Sequence, residues 1–299
     1  MTLRILQYGT TGQLARELLR QAPAHPVAIT ALSRAEADLA DPEAAAAQVR
    51  AHKPDLVILA AAYTAVDQAE AEPGLAHEVN GEAPAAVAAA CAAAGAAVVH
   101  FSTDYVFDGA KGQPYLEDDA TGPLSVYGAS KLSGERMALA ACPRILVLRT
   151  SWVVSAHGKN FVKTMVRLAR EGQPLRVVDD QFGRPTAASD LAAFVLAQAP
   201  RLVAAPAGDP AFGIFHFANA GETTWRGFAQ ATLDLALGAD APRVAGISTA
   251  DRPAPARRPA RGTLDTGKLE RTFGWRPRPW REPLAEIVTE LARAEAAVP

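Results

Sequence analysis

Cysteine is scarce in this chain of 299 residues: Cys91 and Cys142 are the only two. Their spacing is neither a metal-ligand pair nor a disulfide framework, so both are expected as reduced packing residues. Long apolar runs are missing too. The nearest, residues 83–101, is mostly alanine interrupted by Gly95, and nothing reaches the roughly 18 strongly apolar residues that a membrane span requires. No charged-then-apolar leader is visible, so a cytoplasmic protein with no membrane partner is expected. Charge of one sign is not in excess either. Lys and Arg number 30 against 32 Asp and Glu, a net charge of −2, and no basic cluster interleaves with aromatics, which argues against a nucleic-acid partner. Internal repeats and low-complexity tails are absent.

What the chain does contain is strand and helix patterns in alternation. Apolar runs at Leu3–Tyr8, Val27–Leu32, Asp55–Ala60, Ala96–Phe101 and Arg144–Thr150 read as strands. Helical patterns such as Arg16–Gln21 and Pro42–His52 lie between them. This order predicts an α/β fold, a Rossmann-type doubly wound parallel sheet with a smaller α/β substrate-binding lobe. The length allows two lobes. The first is expected over 1–150 with a returning segment near 187–215, the second over 151–186 and 216–299.

The turn after the first strand reads Gly9-Thr10-Thr11-Gly12-Gln13-Leu14-Ala15. Gly9 permits a tight strand-to-helix turn, Gly12 lets backbone N–H groups approach a pyrophosphate, and Ala15 lets the helix pack closely. The second strand ends in Ser33-Arg34, where NAD-selective sites usually carry a carboxylate. An arginine there suits a 2′-phosphate instead, so the expected cofactor is NADPH, with NADH as an alternative donor. A run holding Asp67, Glu70 and Glu72 is expected to face water.

The stretch from Phe101 to Lys131 carries the chemistry. A buried strand delivers Ser102, Thr103 and Asp104 at its carboxyl end, where ligands of open α/β sheets bind. Tyr127 and Lys131 stand four apart on one face of a helix. A neighbouring ammonium favours the phenolate, so Lys131 is expected to make Tyr127 a proton-transfer group near neutral pH. Later, four arginines and three prolines share the stretch 251–261. Proline forbids a helix, so an extended loop is expected to present guanidinium groups, Arg257 among them, to a diphosphate.

With the wording STDYVFDG, PLSVYGASKLSGE and LRTSWV, the chain resembles the extended short-chain dehydrogenase/reductases that act on nucleotide-linked keto sugars. The resemblance covers nearly the whole chain. It implies NADPH-dependent reduction of the 4-keto group of dTDP-4-dehydro-L-rhamnose, with Thr103, Tyr127 and Lys131 as catalytic residues. It adds Gln13, Leu14, Asp38, Leu39, Ala61, Ala62 and Tyr63 to the cofactor contacts. Thr103, Asp104 and Trp152 are implied substrate contacts, and Asn80 is expected to start a crossover helix. A monomer or homodimer is expected. Some members bind magnesium through three glutamates. Here those positions read Glu17, Ser189 and Glu290, so no essential metal is expected and only Glu17 and Glu290 could hold a weak one. The alternatives within reach are a nucleotide-sugar epimerase or dehydratase, or a non-catalytic subunit like the methionine adenosyltransferase beta subunit.

Overall fold

Six apolar segments pair in parallel into the central sheet: β1 (Leu3–Tyr8), β2 (Val27–Leu32), β3 (Leu56–Leu59), β4 (Ala97–Thr103), β5 (Ile145–Thr150) and β6 (Gly213–His216). Their order across the sheet is β6-β5-β4-β3-β1-β2 in the computed structural model, which describes residues 2–296. β3 and β5 are buried at every position. Such unbroken apolar runs are what a sheet covered on both faces requires.

Helices Pro42–His52, Ala83–Ala94 and Val126–Ala141 cover one face of the sheet, where Tyr8, Val57, Val98 and Val147 point. Helices Gln13–Gln21 and Ala188–Ala204 cover the other, against Ile5, Ile58, Val99 and Leu148. The second of these brings a later part of the chain back onto the sheet, and β6 follows it. Proline at position 200 would ordinarily end that helix at Ala199, costing about 3 kcal/mol inside one. It continues to Ala204 all the same. Leu202 is buried in the core, and the Arg144 guanidinium takes the Leu202 and Val203 carbonyls at 3.2 and 2.7 Å.

Beyond Trp152 a second set of elements builds its own core. Helices Phe161–Arg170, Trp225–Leu237 and Arg281–Ala296 pack with three two-stranded pairings, one of which joins Arg176–Val178 to Ala245–Ile247. Phe228, Trp280 and Leu284 fill one cluster there, and Met165, Leu175 and Leu233 another. Among the described residues no helix is long and apolar enough to cross a membrane.

Candidate active site

Strand order reverses between β1 and β3, and the carboxyl ends of these neighbours open the crevice where ligands of such sheets bind. Gly9 sits there with φ +101°, and a Cβ on it would press on the Ala61 side chain at 3.1 Å. The Gln13–Gln21 helix opens at once. Gly12 is its N-cap with no side chain to satisfy the first N–H groups, and no acidic residue stands in the first turn. Unsatisfied N–H groups and the positive end of the helix dipole suit a pyrophosphate, so this turn fits a dinucleotide. The helix begins three residues before the Arg16 start read from the pattern, because Gln13 and Leu14 are already helical.

After β2 come Ser33, Arg34, Asp38 and Leu39, the residues expected at the adenosine end. Ser33 bonds Glu36, Leu39 is buried, and the Arg34 Nε lies 3.0 Å from Asp38. With side-chain exposures of 77% and 41%, that ion pair is held only weakly and leaves the guanidinium free to reorient. Ala61, Ala62 and Tyr63 follow β3 on the same rim. Asn80 fixes this loop: its amide accepts from the Tyr63 N–H at 2.9 Å, donates to the Tyr63 carbonyl at 3.0 Å, and donates to Ser130 Oγ at 3.0 Å. It does not start the crossover helix, which begins at Ala83, but lies in the π-helical turn Glu78–Glu82 before it. The extra residue of that turn aims Asn80 inwards, a feature invisible in hydrophobic periodicity.

Thr103 ends β4 with its side chain buried. The hydroxyl accepts from the Tyr105 N–H at 3.2 Å, donates to Asp104 Oδ1 at 3.1 Å, and lies near enough to the Tyr127 phenol to favour its charged form. Tyr127 reaches it because Gly128 lets the Val126–Ala141 helix lie directly on the Tyr105 carbonyl, which any Cβ would strike. The start of the helix is set twice: Ser125 Oγ accepts from the Gly128 N–H at 3.2 Å and Glu70 accepts from the Val126 N–H at 2.8 Å. Tyr127, Lys131 and Glu135 then follow one another at four-residue intervals on one face. Glu135 ends this buried stripe in a double hydrogen-bonded ion pair with Arg149, at 2.9 and 2.7 Å. On the sheet below, neither ring nitrogen of His100 meets a partner among the described residues, and burial, then the Lys131 charge, keeps that ring neutral.

The expected influence of Lys131 on Tyr127 is corrected here. Burial pushes the Tyr127 phenol up to about 12, partly offset by the neighbouring Thr103 hydroxyl. The same burial pulls Lys131 down to about 8 against the opposing effect of Glu135. Loss of hydration disfavours both charged forms and outweighs the attraction assumed from sequence spacing. Tyr127 is therefore a held proton, ready to be given.

Trp152 follows β5 with a left-handed backbone, φ +46°. Its indole stacks on Trp225 with centroids 3.7 Å apart and lies flush against Gly183, where a Cβ would come within 2.5 Å of the ring. Trp225 and Phe161 line a cavity of about 530 Å³ together with Val178, Gln181, Arg252, Arg257 and Arg258. That volume suits a small organic ligand. The Asp251–Arg261 strap is non-helical past its first residue, as its prolines require, but two of its four arginines are engaged. Arg258 pairs with Asp67 at 2.8 Å and lies near the Tyr105 phenol, and Arg261 pairs with Glu222. Arg257 stays exposed on the cavity wall. The acidic run expected to face water is thus corrected as well: Asp67 holds the strap, Glu70 the start of the Val126–Ala141 helix, and Glu72 the Tyr63 phenol at 2.7 Å. Each of these partners except Tyr63 lies far off in sequence, so local charge patterning gave no sign of it.

At the three positions read as metal ligands, Glu17 is buried with its Oε2 taken by Arg20 at 2.6 Å and Gln21 at 3.3 Å. The His157 imidazole lies 3.3 Å from its Oε1 and 3.8 Å from Glu290, and the Ser189 carbonyl receives Gln21. Arg20 and Gln21 engage one Glu17 oxygen, and among the described residues no group of three His, Cys, Asp or Glu side chains is placed to hold a metal.

A phenol and an ammonium one turn apart, beside a strand-end threonine at the crevice of a doubly wound parallel sheet, define an extended short-chain dehydrogenase/reductase. A family model described as RmlD substrate binding domain matches residues 3–293. The dTDP-4-dehydrorhamnose reductase of Sinorhizobium fredii is 46% identical over 292 residues, 97% of this chain and 98% of its own length. That of Escherichia coli K12 is 40% identical over 296 residues, 97% and 98% of the two chains. A crystal structure of a dTDP-4-dehydrorhamnose reductase from Clostridium acetobutylicum matches with a TM-score of 0.90 at 36% identity, over 97% of this chain and all of the other. The Bacillus anthracis reductase in complex with NADP matches at 0.89 and 31%, with the same coverage. The chain belongs to the dTDP-4-dehydrorhamnose reductase family.

Proposed function

We propose that the protein reduces the 4-keto group of dTDP-4-dehydro-L-rhamnose to dTDP-L-rhamnose, the last step of dTDP-rhamnose biosynthesis in the cytoplasm. NADPH, when bound, supplies the hydride that adds to the carbonyl carbon. Tyr127 gives its proton to the carbonyl oxygen, so the carbonyl becomes a hydroxyl and a phenolate remains. The Thr103 hydroxyl donates a hydrogen bond to the same oxygen as charge develops on it. Lys131 holds the ribose next to the nicotinamide and steadies the phenolate until solvent returns the proton. Gly9, Gly12, Gln13 and Leu14 hold the pyrophosphate, Arg34 and Ser33 the 2′-phosphate, and Asp38 and Leu39 the adenine. Ala61, Ala62 and Tyr63 flank the nicotinamide half.

The aromatic rings of Phe161 and Trp225 suit a nucleotide base, and the three arginines that also line the cavity suit its diphosphate. Trp152 and Asp104 lie on the sugar side. The cofactor and catalytic residues fall to the lobe 1–150 with 187–215, and the nucleotide-sugar wall to 151–186 and 216–299. The observation that carries the reading is the contact of Thr103 with Tyr127, with Lys131 one turn further, in a chain related over its full length to reductases of this name. The test is to follow nicotinamide absorbance with purified protein, NADPH and a panel of dTDP- and UDP-keto sugars. Net oxidation with dTDP-4-dehydro-L-rhamnose is expected. No net oxidation but interconversion of sugars would reveal an epimerase, and silence with every sugar a non-catalytic subunit.

A further inference from the structure

Asp104 has the same neighbours as the catalytic hydroxyl but no part in the reaction as described. It is 2% exposed, and among the described residues it has no ion-pair partner. Its Oδ1 lies 3.1 Å from Thr103 Oγ1, and its Oδ2 is pressed so closely by Gly262 that any side chain there would land on the carboxyl. The groups facing it are the Thr103 hydroxyl from its own strand end, the Tyr127 phenol from the Val126–Ala141 helix, and the Tyr105 phenol with its Arg258 partner from the strap. None is a cation in contact with it.

A count of protons and lone pairs at Thr103 decides what this arrangement does. The hydroxyl has one proton and two lone pairs, and one lone pair already receives the Tyr105 N–H. If Asp104 is a carboxylate, it takes the single Thr103 proton. The remaining lone pair then draws the Tyr127 proton inward, away from a substrate. If Asp104 carries a proton, it fills that lone pair itself, and both the Thr103 and Tyr127 protons are free to point at a carbonyl oxygen.

We propose that Asp104 is a positioning residue whose protonated carboxyl donates to Thr103 Oγ1 and so turns the Thr103 and Tyr127 hydroxyls towards the substrate carbonyl. Burial supports the protonated form, raising this carboxyl to about 7 against the opposing hydrogen bonds from Thr103 and its own N–H. The inference rests on the reading of Tyr127 as proton donor to a keto sugar.

The test compares pH profiles of kcat for NADPH oxidation with dTDP-4-dehydro-L-rhamnose in the wild type and in Asp104→Asn, whose amide N–H can make the same donation at any pH. The wild type should lose about tenfold in kcat per pH unit above a midpoint near 7. Asp104→Asn should keep the low-pH rate within a few-fold and lose that limb, its decline moving at least one unit higher. Asp104→Leu, with no donor, should lose at least tenfold in kcat at every pH while its Michaelis constant for NADPH stays unchanged. An unmoved limb in Asp104→Asn, or loss of its rate at every pH in a folded protein that binds NADPH, would overturn the proposal. Should Asp104→Asn fail to fold, wild-type protein labelled with carboxyl-13C aspartate still decides: one aspartate should stay protonated at pH 6, and none protonated would also overturn it. A wild type that oxidises no NADPH with the keto sugar counts against the reductase reading instead, since the carboxyl titration does not depend on turnover.

Discussion

Arg258 and Asp67, 191 positions apart in the chain, meet at 2.8 Å and tie the arginine-proline strap to the loop after β3. Side-chain exposures of 25% and 45% make this pair worth only about 0–1 kcal/mol to the fold. Its effect should fall on the cavity instead. Asp67→Ala is expected to leave the melting temperature nearly unchanged while raising the Michaelis constant for the nucleotide sugar by roughly tenfold, about 1.4 kcal/mol of binding. Initial rates with each substrate varied in turn check this, and an equal rise for NADPH would show that the strap is not specific to the sugar side.

Tyr127→Phe removes the proton donor and little else. Turnover should drop by about 10²–10⁴-fold, the range that general acid catalysis contributes, with NADPH affinity by fluorescence titration close to that of the wild type. Wild-type turnover in this variant rules out the proposed chemistry.

Arg34 faces solvent and spends its charge on a weak partner, so a 2′-phosphate should displace Asp38. Arg34→Ala is therefore expected to raise the Michaelis constant for NADPH several-fold more than that for NADH. A parallel rise for both cofactors would make Arg34 a bystander.

Glu135 and Arg149 are 1% and 3% exposed, and each leaves the other a bare buried charge if it is removed. Glu135→Ala should cost about 3–5 kcal/mol in urea unfolding, whereas a paired replacement by Met and Leu should cost much less. Two equal losses would mean that the pair acts through shape and not charge.

The strands of the sheet and the glycine turn were readable because each depends on residues adjacent in sequence. Apolar runs at β3 and β5 and the spacing of Gly9 and Gly12 follow from local sterics and burial period alone. Thr103 and Tyr127, which the family resemblance named together, lie near each other in the fold. What went unread depends on distant partners or on the depth of burial. Asp67, Glu70 and Glu72 looked solvated until their strap, helix and phenol partners were present. The acidity expected of Tyr127 had the wrong sign because a sequence shows which charge is near but not how much water has been removed. Asn80 was misplaced by a π-helical turn.

The fit of the Trp152 indole on Gly183 has a consequence for how this protein can vary. A methyl group at 183 would come within 2.5 Å of the ring, and the ring, stacked on Trp225, has no room to yield. Position 183 is thus closed to every residue with a Cβ for as long as tryptophan stands at 152. In a library randomised at both positions, Gly183→Ala should survive only in clones where 152 has already become small, so the route between the two states runs in one order.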